Sequence, residues 1–137
     1  MTGIDNRLEQ KIGFDRIRRI ISDKCSTTYA AGRTATETFS AKPSQIRKRL
    51  LLTDEMRLIM MFEDGFPSSG FIDCIDFLKP LENSSSAIDI ISLRKLKTML
   101  DTLRRVTAFF EEVKDGVYPN LKRMSASILG FPAIQHK

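Results

Sequence analysis

Histidine is nearly missing from this 137-residue chain: its one copy, His136, is second from the end. A Ser-His-Asp or Cys-His site needs a base held firmly by the fold, and a terminal side chain is poorly held. Cysteine is almost as scarce. Cys25 and Cys74 are the two copies, with no C-x-x-C pair and no histidine nearby. A zinc site or a disulfide framework needs several ligands at short, regular spacings, so both are excluded and two reduced, mostly buried thiols are expected. Tryptophan is absent, and aromatic and basic residues do not interleave as they do on RNA-binding sheets. Asn-Gly turns and sustained apolar-polar alternation are lacking too, which removes the main signals of β-structure. No apolar run approaches a membrane span, and Met1-Thr2-Gly3-Ile4-Asp5 does not open a signal peptide. A cytoplasmic protein that engages no membrane and no metal is expected.

Two near-misses for chemistry fail on physical grounds. Gly65-Phe66-Pro67-Ser68-Ser69-Gly70 has the spacing of a phosphate loop, but Phe71-Ile72 follows where Lys and Ser/Thr are required. The cradle therefore lacks its cation and its metal-binding hydroxyl, and no strand precedes it. Neighbouring acids, Asp54-Glu55 and Glu111-Glu112, point to different sides of a helix and make poor acid-base pairs. Asp73 and Asp76 would share a helical face without a nameable partner. No catalytic residue, cofactor-binding residue or metal ligand can be assigned, and the chain reads as a non-enzyme.

What the chain does have is helix. Hydrophobic residues make up 42% and charged residues 28%, which supports a packed core and argues against disorder. Phe14, Ile17, Ile21 and Cys25 recur at helical spacing, and Ser26 offers an N-cap for a second helix. Gly32 lies inside that second helix, which points to close packing against a neighbour. Pro43 suits the first turn of a third helix over 43–63. Its apolar residues face three ways, as in a central helix wrapped by others. Residues 71–79 read as a short turn ending at Pro80.

The clearest helix covers 93–114, with Ser92 as its N-cap. Leu96, Met99, Leu103, Val106, Phe110 and Val113 are spaced 3, 4, 3, 4, 3, the seam of long helices packed side by side at about 20°. Gly116 ends it, and Pro119 starts a last helix that Gly130-Phe131-Pro132 breaks. The expectation is an all-α chain, five to six helices in an elongated bundle, forming a single helical domain or a fragment of one over 1–137.

The formal charge of +5 is unevenly spread. Residues 1–50 carry 11 Lys/Arg against 5 Asp/Glu, residues 51–91 carry 2 against 8, and residues 92–137 carry 9 against 4. Such a chain satisfies much of its charge internally. Two local clusters remain as candidate phosphate contacts: Arg16, Arg18 and Arg19, and Arg47, Lys48 and Arg49. Clusters of this kind grip phosphate without reading sequence.

The run Phe14-Asp15-Arg16-Ile17, Thr28…Gly32-Arg33, Lys42-Pro43-Ser44 and Arg49-Leu50…Thr53-Asp54-Glu55 resembles the opening of the MutS helical core. The order continues through Gly65-Phe66-Pro67 and Ser92-Leu93-Arg94-Lys95-Leu96 to Phe109-Phe110-Glu111-Glu112. The resemblance covers nearly the whole chain, and Thr-x-Glu after a helical Leu run is its most telling part. It is closest to the second bacterial MutS branch, whose members begin directly in this core.

The resemblance implies a lever, the helical struts joining an ATPase head to DNA-gripping clamp elements. It implies ATP and Mg in a downstream region, and double-stranded or branched DNA and a homodimer partner for the full-length protein. It also implies that this chain is a fragment ending before clamp and ATPase. Phe109-Phe110-Glu111 has the letters of the family's mismatch-reading Phe-x-Glu, but Phe110 lies on the helical seam and reads as core. The remaining alternatives are a stand-alone helical interaction or dimerisation module and a small basic nucleic-acid-binding protein.

Overall fold

The computed structural model describes residues 6–83 and 87–128; the breaker at Gly130 and the lone His136 lie outside these. The described residues are helical with no strand. The chain divides into two compact units, Met1–Ala41 and Lys42–Lys137.

The first unit holds α1 (Asn6–Lys11), α2 (Phe14–Asp23) and α3 (Thr28–Ala35). Gly13, at φ 74°, joins α1 to α2 in the left-handed conformation that glycine adopts without steric cost. Thr27, not Ser26, caps α3: its side chain accepts from the Ala30 amide at 3.1 Å. Polar side chains join α2 to α3. The Ser22 hydroxyl donates to the Ala31 carbonyl at 3.3 Å, and Cys25 Sγ lies 3.7 Å from the Thr34 hydroxyl. Phe14 stacks on Phe39 at 4.2 Å. Gly32 does not serve the close packing expected of it, since a Cβ there would meet nothing within 4 Å.

The second unit is built on two long helices, α4 (Pro43–Phe62) and α6 (Ile90–Glu112). Between them come α5 (Ile75–Leu78) and a 3-10 turn, Lys79–Glu82, which Pro80 enters rather than ends. The last described helix is α7 (Pro119–Ser125). With its 23 residues, α6 is about 35 Å long. It starts three residues earlier than Ser92 predicts because Asp89 is the true cap. The Asp89 carboxylate accepts from the Ser92 amide at 2.9 Å and from the Ser92 hydroxyl at 2.6 Å. Ser92 thus serves a cap one turn upstream.

The core of this unit is Ile59, Val106, Phe110, Tyr118 and Leu121. Ile59 is fully buried, while Leu52, Met56 and Leu58 of α4 pack partly buried around it. Along the α6 seam, Val106 and Phe110 are buried, and Leu96, Met99, Leu103 and Val113 are half-buried. Phe66 sets its ring edge-on to Phe109 at 5.2 Å and to Phe110 at 6.2 Å. The loop residue Gly70 (φ 91°) touches α6 so closely that a Cβ would sit 2.5 Å from Thr102 Oγ1. The Thr102 hydroxyl is shared between the Gly70 carbonyl at 3.1 Å and the Thr98 carbonyl at 3.0 Å. The Gly65–Gly70 segment therefore packs on a helix, with its glycine needed for close approach rather than for phosphate.

Candidate functional site

Of the first basic cluster, Arg16 and Arg19 are exposed and, three apart on α2, share one side of the helix. Arg18 points elsewhere and is engaged. One terminal nitrogen donates to Glu9 Oε2 at 2.6 Å, the other to the Glu37 carbonyl at 2.6 Å, and the guanidinium lies 4.9 Å from the Phe14 ring centroid. The planar fork of arginine makes all three contacts at once, which lysine could not. It cross-links α1, α2 and the segment after α3. In the second unit Arg47, Lys48 and Arg49 are exposed on the first turns of α4. Being consecutive, they fan around the helix at about 100° per residue and do not share one face.

The most built arrangement in the chain joins α4 to α7. Glu55, Ile59 and Glu63 are four residues apart on one ridge of α4, so two carboxylates bracket the fully buried isoleucine. Glu55 is itself buried. Its Oε1 accepts from the Asn120 amide at 3.1 Å and from Asn120 Nδ2 at 2.6 Å, and its Oε2 accepts from the Leu121 amide at 2.7 Å. These amides belong to the first turn of α7, where helix geometry leaves N–H groups without internal partners. The side chain of Glu55 thus caps α7 from a helix sixty-five residues away in sequence.

Glu63 makes the second grip: the buried Tyr118 hydroxyl donates to it at 2.9 Å. Burial pushes the Tyr118 phenol above its ordinary range, and the Glu63 carboxylate adds to the rise. Lys122 ties the α6–α7 connection by donating to the Val113 carbonyl at 2.8 Å and to Asp115 at 2.7 Å. That contact holds the Asp115 carboxyl below the usual range. Together these links tie α7 to α4 and to the connection that follows α6.

Beside this junction runs an open groove of 490 Å3, lined by Leu52, Thr53, Met56, Arg57, Met60 and Leu121. Its lining is mostly apolar, with Met56 and Met60 as flexible side chains able to adapt to what enters. Burial raises the Cys74 thiol above its ordinary range, and Asp73 adds to this, while Lys95 acts the other way. A nucleophilic thiolate needs the opposite shift. Among the described residues no group of three or more His, Cys, Asp or Glu could hold a metal ion. None of their helices is long and apolar enough to cross a membrane.

In sequence Glu55 stands out only in the Asp54-Glu55 acid pair and the Thr53-Asp54-Glu55 run, and Glu63 and Tyr118 carry no mark as its companions. A signal was nonetheless present, because two acids fall on the same ridge as Ile59 and a charge on an apolar face needs a partner. Among the described residues the fold is all-α, and the polar side chains of this site fasten helices to one another. No family model, curated protein or solved structure matches the chain.

Proposed function

We propose that the chain is a non-catalytic helical lever segment of a MutS-like, DNA-binding ATPase, coupling a nucleotide-driven head to nucleic-acid clamping. The observation that carries this reading is the α4–α7 junction. A lever must move as one body, which requires that its helices be tied by directional bonds as well as by apolar contact. Glu55, in the Thr53-Asp54-Glu55 run most telling of the resemblance, ties α7 to α4 by three hydrogen bonds. Phe66, from the Gly65-Phe66-Pro67 run, packs on Phe109 and Phe110 of the strut α6. Residues that carry the resemblance are thus structural ones. In this reading DNA contact rests on phosphate-binding cations, with exposed Arg16, Arg19, Arg47 and Lys48 as its contributors here.

The test is the coding sequence past the Lys137 codon. A downstream GxxxxGK[ST] loop, strand before and helix after, is the expected result. A stop codon directly after Lys137 overturns the reading.

A further inference from the structure

The first unit turns aliphatic side chains and cations outward and draws acids in. Between residues 8 and 24, Leu8, Ile12, Ile17, Ile20 and Ile21 are each about half exposed. The exposed charges over the same stretch are Lys11, Arg16, Arg19 and Lys24 against one acid, Asp23. Glu9 is buried against Arg18 at 2.6 Å, and Asp15 is half-buried. On α2 the division is by side. Phe14, Arg18 and Ser22, four apart, face the unit, where they meet Phe39, Glu9 and the Ala31 carbonyl. At about 100° per residue, Ile17, Ile20 and Ile21 fall within about 100° of arc on another side. Lys24 follows in line with them one turn later, and Arg16 stands at the edge of the arc beside Ile20.

Aliphatic residues ringed by cations discriminate among partners. Nucleic acid uses the cations but has no use for isoleucine, and it stacks its bases on aromatic rings. The one aromatic of α2, Phe14, is turned onto Phe39. Protein interfaces favour aromatic residues and methionine at their centre and disfavour lysine. An anionic bilayer surface uses both parts of the pattern. Cations meet the phosphate headgroups, and aliphatic side chains enter the boundary with the acyl chains. The stem of Arg16 can lie along Ile20 while its guanidinium stays at headgroup level.

We propose that the outer side of α2 docks on an anionic lipid surface, with the helix lying in its plane. The sequence expectation of no membrane contact rests on the lack of a spanning run, which a helix in the plane does not need. Among the described residues no helix is long and apolar enough to cross, so the contact is with one surface. This goes beyond the lever reading and does not depend on it, because it rests on isoleucines to which a grip on DNA phosphate gives no role.

The full chain is mixed with vesicles of phosphatidylcholine, alone or with about one third phosphatidylserine, and the bound fraction is read by sedimentation. Binding to the phosphatidylserine vesicles is expected, at least about tenfold weaker without that lipid. Arg16→Gln with Arg19→Gln is expected to weaken it about thirtyfold, and Ile17→Ser with Ile20→Ser about tenfold. A further readout does not depend on how those variants fold. The chain has no tryptophan, so Ile20→Trp carries its sole indole. On adding phosphatidylserine vesicles, that indole's emission is expected to move to the blue and to be shielded from acrylamide. No binding to phosphatidylserine vesicles overturns the proposal, as does an indole that the vesicles leave unchanged. Vesicle binding indifferent to Ile17→Ser and Ile20→Ser also overturns it. Duplex DNA binding lost with Arg16→Gln and Arg19→Gln, while vesicles stay unbound, assigns the patch to nucleic acid instead.

Discussion

Glu55 is a carboxylate taken out of water, a state that is tolerable because donors replace the lost hydration. Two backbone amides and one carboxamide converge on it from the start of α7. Replacement by alanine leaves those amides unsatisfied in a buried place and opens a void beside Leu121. Glu55→Ala is therefore expected to lower the unfolding free energy by about 3 kcal/mol, and Glu55→Gln by about half that. Glutamine keeps one acceptor oxygen but turns a donor toward an N–H group. Urea midpoints at unchanged m-value give the measurement. A loss under about 0.5 kcal/mol for Glu55→Ala would mean that α7 is held by packing alone. The ridge Glu55-Ile59-Glu63 could have been read from spacing. Thr102 could not: a threonine beside the α6 seam signals nothing until Gly70, 32 residues upstream, is known to press on it.

Long helices were legible because periodic apolar spacing accumulates over many turns, and α4 and α6 lie where the spacing puts them. The ends of α4 came within a residue of the expected 43–63, but those of α6 did not, because capping is a local contest among small polar residues. Ser92 and Asp89 both qualify as caps, and the carboxylate, which accepts both the amide and the hydroxyl of Ser92, prevails. Those bonds, the Ser92 side chain first, hold the Asp89 carboxyl below the usual range. A depressed folded pKa means that the ionised form favours folding. The contribution is complete above the ordinary carboxylate pKa, near about 4, and is lost as pH falls through the depressed value. Asp115, lowered by Lys122, acts in the same direction. Tyr118 has the opposite sense: its contribution is whole below the ordinary phenol range and fades as pH rises through the raised value. At neutral pH, Asp89→Ala is expected to melt several degrees below the parent. The gap should narrow as pH falls through the depressed Asp89 value, where the parent's carboxylate becomes protonated as well. Thermal melts followed at 222 nm across the acid range provide the comparison, and a gap constant across that range would refute the cap's role.

At the scale of the molecule, the two units are held by different physics. Lys42–Lys137 contains a cluster of buried apolar side chains. Met1–Ala41 has none among its described residues: Leu8, Ile12, Ile17, Ile20 and Ile21 are each about half exposed. A unit of about 40 residues with no buried apolar side chain among those described has little to offset its chain entropy. Within it the buried Glu9 pairs with Arg18, whose second nitrogen reaches the Glu37 carbonyl. Sequence pattern made this hard to see, because the isoleucine stripe on α2 has the spacing of a core-facing helix whether or not anything covers it. Hydrogen exchange is expected to separate the units. Amides of α2 and α3 should open at no more than about 2 kcal/mol, while those in the middle of α6 exchange only through global unfolding, several kcal/mol higher. Arg18→Ala should erase the remaining protection of α2 and α3 and leave α6 unchanged, since Arg18 makes its bonds within the first unit. Equal protection of α2 and α6 would show that the open isoleucine stripe is covered in solution, and that the first unit takes its stability from whatever covers it.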